Sequence, residues 1–147
     1  MNKFYLNPTQ ESGREFFQRN ISGQVIMLNL LRFKEFADYS ETPELAPSNP
    51  ISGKEAYMLY IEKTLQHLKK SGGEIMFLGY GGHFLVGPTN ERWDCVMMIQ
   101  QNSVQDFIAF ASNHEYLKVI GHRTAALEDS RLLPLTEQNF KMLNDKN

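Results

Sequence analysis

The segment 122–133, HRTAALEDSRLL, holds a dense group of polar and charged side chains beside apolar residues. An imidazole such as that of His122 has an ordinary pKa of about 6.5, so it can act as a general acid or base near neutral pH. The adjacent Arg123 guanidinium can stabilise an enolate or a carboxylate. This pair is the best catalytic candidate in the chain. The alternative is structural: both side chains interact with the end of the preceding helix and pair with Glu128 and Asp129.

Four further residues are candidates for ligand binding: Asn29, Arg32, Tyr60 and Trp93. Arg32 ends a predicted strand and can clamp a carboxylate bidentately, with an ion pair to Glu128 or Asp129 as the alternative. The Asn29 amide needs partners, which either a ligand or neighbouring backbone can supply. The Tyr60 ring is expected to pack on the sheet while its hydroxyl reaches a polar group. Trp93 is predicted to be either core or the wall of an apolar pocket.

These residues must be positioned by a small number of elements. The apolar run at 24–33 predicts a strand, and apolar spacings of four, four and three predict an amphipathic helix over 53–71. Turn residues at 87–91 separate two β-rich segments, which predicts a hairpin. The remaining predicted elements are strands at 74–86 and 92–100, helical segments at 103–111 and 112–121, and a strand at 127–135.

The resulting order, βαββαβ, predicts an α+β protein with a ferredoxin-like antiparallel sheet. Residues 1–22 form an N-terminal helical extension, in which Asn7 is the expected N-cap and Phe16 and Phe17 the buried side. Residues 24–135 form the ferredoxin-like domain. A polar tail at 136–147 is expected to form a loose terminal helix.

The long connection at 35–52 carries three prolines, which disfavour a central strand and a long helix. Connections of this length are often lids or binding loops, although surface decoration is an equal alternative. The sequence does not choose between them.

Composition excludes several functional classes. The chain of 147 residues has 41 % hydrophobic residues and a net charge of −2, values typical of a single folded domain. Its dispersed basic residues argue against nucleic-acid binding, and its short apolar runs predict neither a signal peptide nor a membrane span, so a cytoplasmic location is expected. No ligand spacing predicts a metal, no glycine loop predicts a nucleotide, and no cofactor is expected. The lone Cys95 is predicted to be a buried thiol.

Several segments, taken in order, resemble the domain of unknown function 1330 family. They are VIMLNLLRF at 25–33, the helix opening at 52–60, the glycine pair at 72–73, ERWD at 91–94, Tyr116, and HRTAALEDSRL at 122–132. The resemblance covers about 24–133.

That family looks like part of the dimeric α/β-barrel superfamily, in which two ferredoxin-like subunits join their sheets into a barrel. The resemblance therefore implies a homodimer, whose partner would cover apolar residues left on one sheet face. It does not imply one reaction, because the superfamily includes monooxygenases, isomerases and haem-binding proteins. Asn29, Trp93 and His114 roughly match the order of residues in haem-degrading relatives, but the spacing to His114 fits poorly.

Two functional hypotheses follow, and whether the protein is an enzyme stays open between them. In the first, a cofactor-independent enzyme of isomerase or monooxygenase type acts on a small organic acid or aromatic metabolite in a small, mainly apolar cavity. There His122 moves a proton, and Arg32 and Arg123 hold anionic oxygen. In the second, the protein is a non-catalytic homodimer, either ligand-binding or structural, and the same groups form ion pairs.

Overall fold

The computed structural model describes residues 3–138, so the terminal helix predicted within 136–147 falls mainly outside the described residues. The elements are α1 (Gln10–Gln18), β1 (Val25–Phe33), a 3-10 helix (Pro43–Leu45), α2 (Gly53–Lys70), β2 (Glu74–His83), β3 (Arg92–Gln101), α3 (Val104–Ala111), α4 (His114–Val119), α5 (Gly121–Ala126) and β4 (Leu127–Leu135). Between residues 3 and 138, no helix has the length and apolar character needed to cross a membrane.

The four strands form one antiparallel sheet in the order β2-β3-β1-β4. β1 lies between β3 and β4, and this central position explains its nearly continuous apolar sequence. Helix α2 connects β1 to β2, and helices α3 to α5 connect β3 to β4. The predicted ferredoxin-like α+β fold with an additional N-terminal helix is therefore confirmed.

The two faces of the sheet differ in burial. On one face of β1, Val25, Met27 and Leu31 are buried, and the core cluster joins Leu31 with residues of α2 such as Tyr57. The alternate residues of β1 point to the other face and are only partly buried. That face we call the open face.

Helix α2 begins where the sequence predicts, because Ser52 and Glu55 form a capping box. The Ser52 hydroxyl accepts from the Glu55 backbone N–H at 3.0 Å, and the Glu55 carboxylate accepts from the Ser52 N–H at 2.9 Å. The helix ends before Gly72, whose φ of 89° favours glycine.

Two predictions about the N-terminal helix were wrong. Thr9, not Asn7, is the N-cap of α1, because the Thr9 hydroxyl accepts from the Ser12 backbone N–H at 3.0 Å. No residue of α1 is buried, and Phe17 is 57 % exposed. The Phe16 ring packs at the surface against Phe107 of α3, with a centroid distance of 6.2 Å.

Three boundaries also differ from the predictions. β2 ends at His83 rather than at residue 86, and the next three residues, 84–86, are exposed apolar side chains. The helical segment predicted from residue 112 begins at His114, with Asn113 as the N-cap of α4. His122 and Arg123 do not follow the helical segment but belong to a further short helix, α5.

Candidate functional site

Two of the predicted ligand-binding residues, Arg32 and Trp93, lie together near the end of β1. The guanidinium carbon of Arg32 is 5.3 Å from the centroid of the Trp93 ring, and that of Arg131 on β4 is 4.9 Å from it. Trp93 is 3 % exposed, and its indole N–H donates to the Glu91 carboxylate at 3.1 Å. Both guanidiniums are thus within cation–π distance of the indole ring, which is electrostatically favourable.

This position of Trp93 could not be read from strand alternation. The β1–β3 ladder ends at the pair Leu31 and Cys95, both of which belong to the main core cluster, whereas Trp93 does not. Beyond that pair, the Asp94 carboxylate accepts the Phe33 backbone N–H at 2.8 Å in place of a backbone carbonyl. Trp93 is thus buried outside the main core cluster, within reach of charged groups.

Asp129 is the acceptor that holds the two arginines. Its Oδ2 accepts from Nη2 of Arg32 at 3.1 Å, and its Oδ1 accepts from Nη1 of Arg131 at 2.8 Å. The backbone N–H groups of Tyr5 and Ser130 also donate to Oδ1, at 2.8 Å and 2.9 Å. The carboxylate is 2 % exposed, and a charge so deeply buried requires such compensation.

Arg32 makes the ion pairs that were the alternative to ligand binding. Besides the bond to Asp129, its Nε lies 3.7 Å from a carboxylate oxygen of Glu128. That distance is too long for a hydrogen bond. The Nε of Arg32 is buried and has no acceptor among the described residues. A buried donor without a partner is costly, so it is a position where an additional acceptor would be stabilised.

Arg123 points toward the N-terminal segment. Its Nη1 donates to the Leu6 carbonyl at 2.8 Å, and its Nη2 lies 3.4 Å from the Ser130 hydroxyl. The structural alternative, in which Arg123 pairs with Glu128 and Asp129, is not found, because Asp129 pairs with Arg32 and Arg131, and Glu128 lies near Arg32. Sequence reasoning did not single out Arg131, although it lies two residues from Asp129 on the same strand.

His122 is buried against the 35–52 connection. It is 3 % exposed, and its Nδ1 lies 2.7 Å from the Tyr39 hydroxyl. Burial, and secondarily the positive charge of Lys63, lowers the pKa of His122, while burial raises the pKa of Tyr39. The imidazole is therefore neutral at pH 7, and the protonated hydroxyl can donate to Nδ1. The structural alternative, in which His122 pairs with Glu128 and Asp129, does not match this contact with Tyr39.

The contact between Tyr39 and His122 also holds the 35–52 connection against α5. Backbone bonds join Lys34 N–H to the Ala126 carbonyl at 2.8 Å and Asp38 N–H to the Ala125 carbonyl at 2.9 Å. Together with the Tyr39–His122 contact, they dock the start of the 35–52 connection on α5. This part of the connection is packed against the fold.

Asn29 and Tyr60 have protein partners of their own. The Asn29 amide donates to the backbone carbonyls of Met27 and Met97, at 3.2 Å and 3.4 Å. The hydroxyls of Tyr60 and Tyr116 lie 2.7 Å apart in the buried core. Burial raises the pKa of both phenols, so each stays protonated.

The space beneath α2 is small. An apolar pocket lined by residues of α2, α3 and the sheet, including Tyr60, Leu68, Met97 and Phe110, has a volume of about 20 Å³. That is room for about one water molecule, whereas ligand pockets have ~300–1,000 Å³. Within residues 3–138, no group of three His, Cys, Asp or Glu side chains is placed to hold a metal ion.

Comparison with known proteins places the chain in a family. No protein-family model matches the chain, and no curated protein matches it. Two crystal structures of RPA0582, one of them of the methylated protein, are 30 % identical to the chain with a TM-score of 0.81. The alignments cover 93 % of this chain and 97 % or 99 % of RPA0582, which is described as a protein of unknown function from Rhodopseudomonas palustris. A dimeric ferredoxin-like protein of unknown function from Jannaschia sp. CCS1 is 11 % identical, over 78 % of this chain and 100 % of that one, with a TM-score of 0.49.

The sheet order and connectivity define a ferredoxin-like α+β protein. Within that class, the identity and coverage are sufficient to assign a family. The chain belongs to the family of RPA0582 from Rhodopseudomonas palustris.

Proposed function

We propose that this protein is a non-catalytic homodimer of the dimeric α/β-barrel type that binds a small organic acid. We also propose membership of the domain of unknown function 1330 family, with 24–135 as the ferredoxin-like domain, 1–22 as its helical extension and 136–147 as its tail. The observation that carries the ligand-binding proposal is the contact of the Arg32 and Arg131 guanidiniums with the Trp93 ring. A cytoplasmic location stays a prediction.

The open face supports the homodimer. Leu28 on β1 pairs with Met98 on β3 and Leu133 on β4, and Phe77 on β2 also pairs with Met98. Phe77 and Leu133 are each 53 % exposed. A contiguous apolar surface across four strands favours burial against a second, similar sheet, as in a twofold-symmetric dimer.

Sedimentation equilibrium over a wide range of protein concentrations tests the dimer. We expect a dimer for the unchanged protein, and a monomer with an intact circular dichroism spectrum for Leu28→Asp. Leu117→Asp is the matched control, because Leu117 is 47 % exposed on α4, away from the sheet. A monomer at every concentration for the unchanged protein would contradict the proposal.

The arginine cluster supports an acidic ligand. Arg32 and Arg131 present guanidinium groups, which are suited to carboxylates, and the adjacent indole provides apolar contact. A thermal-shift comparison of small carboxylates, phenols and haem tests this. A ligand that binds only the folded state stabilises it by about 2.7 kcal/mol at a hundred times its Kd. We expect that only carboxylates raise the melting temperature, and that they no longer do so in Arg32→Gln. A melting temperature that no carboxylate changes would refute the proposal of an acidic ligand.

The engagement of the polar groups supports the absence of catalysis. Asn29, Tyr60, His122 and Arg123 each contact a protein group, and the contacts of Asn29, His122 and Arg123 run to different segments of the chain. Catalytic groups must instead converge on one reacting position. The conditions for proton transfer and anion stabilisation are thus not assembled around one ligand.

A second candidate function, an enzyme that removes a proton next to a carboxylate, is favoured by one observation. The neutral imidazole of His122 beside the Tyr39 hydroxyl has the protonation state of a general base. Incubating the protein with carboxylic acids in deuterium oxide, with detection by proton NMR, separates the two functions. We expect no exchange of the α protons above the buffer rate. Exchange that disappears in His122→Gln would establish the enzyme instead.

A further inference from the structure

The residues Phe4, Tyr5 and Leu6, which we call the N-terminal strap, are held against the arginine cluster by three polar contacts. The Tyr5 backbone N–H donates to Asp129, and the Ser130 hydroxyl donates to the Tyr5 carbonyl. Arg123 donates to the Leu6 carbonyl. Arg123 therefore has a structural role, because its hydrogen bond to Leu6 holds the strap in place.

The strap places two aromatic rings against the same guanidiniums that contact the Trp93 ring. The Phe4 centroid is 6.0 Å from the guanidinium carbon of Arg32, and the Tyr5 centroid is 4.9 Å from that of Arg131. Each arginine is thus in contact with one ring of the strap and with the indole. The cluster has an affinity for aromatic rings that the protein satisfies with its own N-terminal residues.

The two aromatic side chains hold the strap only loosely, whereas Leu6 packs against the core cluster. Phe4 is 52 % exposed and Tyr5 is 46 % exposed, so lifting these two rings exposes little additional apolar surface. Its anchors are mainly hydrogen bonds to backbone groups, which water can replace once the segment moves away. Under the strap, the Nε of Arg32 still has no acceptor.

We propose that the strap occupies the binding place of an aromatic carboxylate, and that such a ligand displaces it. This inference rests on the proposed ligand-binding function and adds the ligand class, the location and the control of access. The ring of the ligand takes the place of Phe4 or Tyr5 on the guanidiniums, and its carboxylate accepts from Arg32. Since ligand and strap compete, the apparent affinity is lowered by the fraction of molecules in which the strap is closed.

The indole provides a direct signal, because Trp93 is the single tryptophan of the chain. Fluorescence of the full-length protein is titrated with benzoate, and with benzamide as an uncharged probe of the same shape. We expect saturable quenching by benzoate alone. The double variant Phe4→Ala/Tyr5→Ala should lower the apparent Kd for benzoate at least about tenfold, since the competitor is removed.

Two variants control this result. Phe17→Ala removes an exposed ring that is 57 % accessible on α1 and should leave the Kd unchanged. Arg123→Gln removes one anchor but keeps both rings, so it should lower the Kd by a smaller factor. If the double variant Phe4→Ala/Tyr5→Ala does not fold, Arg123→Gln is the decisive test.

Each outcome decides between the inference and the proposed function. Equal Kd values with and without the strap rings would show that the strap does not compete, which overturns the inference. Stabilisation by carboxylates in the thermal-shift experiment, without any benzoate effect on Trp93 fluorescence, would leave the proposed function standing and remove this site. Failure of both measurements would remove both.

Discussion

The helix-facing side of the sheet and its arginine-bearing end use polar groups in opposite ways. On the helix-facing side, Tyr60 and Tyr116 bond to each other within a core of apolar and aromatic side chains. At the other end, two guanidiniums and Asp129 are concentrated around one indole. The first region contains a neutral buried pair, whereas the second combines the buried carboxylate of Asp129 and the mostly buried guanidinium of Arg32 with the more exposed guanidinium of Arg131.

This difference indicates where function is expected. Neutral buried pairs contribute to stability and fix the packing, but they offer nothing to a ligand. A buried charged cluster is a poor source of stability, since desolvation cancels much of the attraction between the charges. The arginine cluster is only partly covered by the rest of the protein, and the Nε of Arg32 has no acceptor. We therefore expect the cluster to serve ligand binding rather than stability.

The largest effect is expected for Asp129→Ala. It leaves the guanidiniums of Arg32 and Arg131 without their shared acceptor, and breaking a buried charge pair typically costs ~3–5 kcal/mol. Urea denaturation followed by circular dichroism measures the loss. Glu115→Ala is the control, because the exposed pair of Glu115 with Lys118 should contribute less than about 1 kcal/mol. If both variants lose a similar free energy of unfolding, the buried carboxylate of Asp129 contributes no more to stability than the exposed pair does.

The second prediction compares the two faces of β1 with one type of substitution. Leu31→Ala, in the fully buried core, should cost ~2–5 kcal/mol at every protein concentration. Leu28→Ala on the open face should destabilise the protein by an amount that depends on concentration, because its partner surface is supplied by a second subunit. Thermal melts at several concentrations measure both. A concentration-independent loss in Leu28→Ala would argue against the sheet-to-sheet dimer.

A smaller effect is expected in the neutral region. Tyr116→Phe leaves the buried Tyr60 hydroxyl without its partner and should cost roughly 1–3 kcal/mol. The double variant Tyr60→Phe/Tyr116→Phe should be no less stable than the single one, since it removes both polar groups. A double-mutant cycle by urea denaturation measures this coupling. Additive losses would mean that the two hydroxyls do not act as a pair.

The smallest effect is a pH dependence at His122. Its pKa in the folded protein lies below the ordinary value of 6.5, so between these two values the unfolded chain binds more protons. Its contribution to stability is complete above pH 6.5 and falls as the pH is lowered toward the folded pKa. Melting temperatures between pH 7.5 and pH 5 should therefore fall more for the unchanged protein than for His122→Gln. Parallel curves would exclude His122 as the titrating group.

Much of the fold could be predicted from the sequence, because its main signals are local. The apolar run of β1, the spacing within α2 and the glycine pair after it depend on residues a few positions apart. The errors arose where several local arrangements compete. Thr9 is the N-cap in place of Asn7, because the side chains of both residue types can accept from backbone N–H groups. Phe16 and Phe17 are not buried, because no residue of α1 is part of the core.

The candidate site was less accessible to sequence reasoning, because its contacts join distant positions. The pairing of Arg32 with Asp129 was one of the stated alternatives, whereas the partners of Arg123 and His122 were not foreseen. Leu6 and Tyr39 lie far from those residues in the chain. Nothing in the local pattern at 122–133 indicates that the N-terminal strap and the long connection end beside it.

The sequence by itself determined the order of elements and the central position of β1, since hydrophobic periodicity and turn residues specify local structure. Only the tertiary structure decided what the polar residues do. A guanidinium or an imidazole has the same chemistry in either role, and its partner is chosen by which segments the fold brings within about 3 Å. For Arg32 and Arg131, that partner is Asp129, beside the N-terminal strap, a neighbourhood created by folding alone.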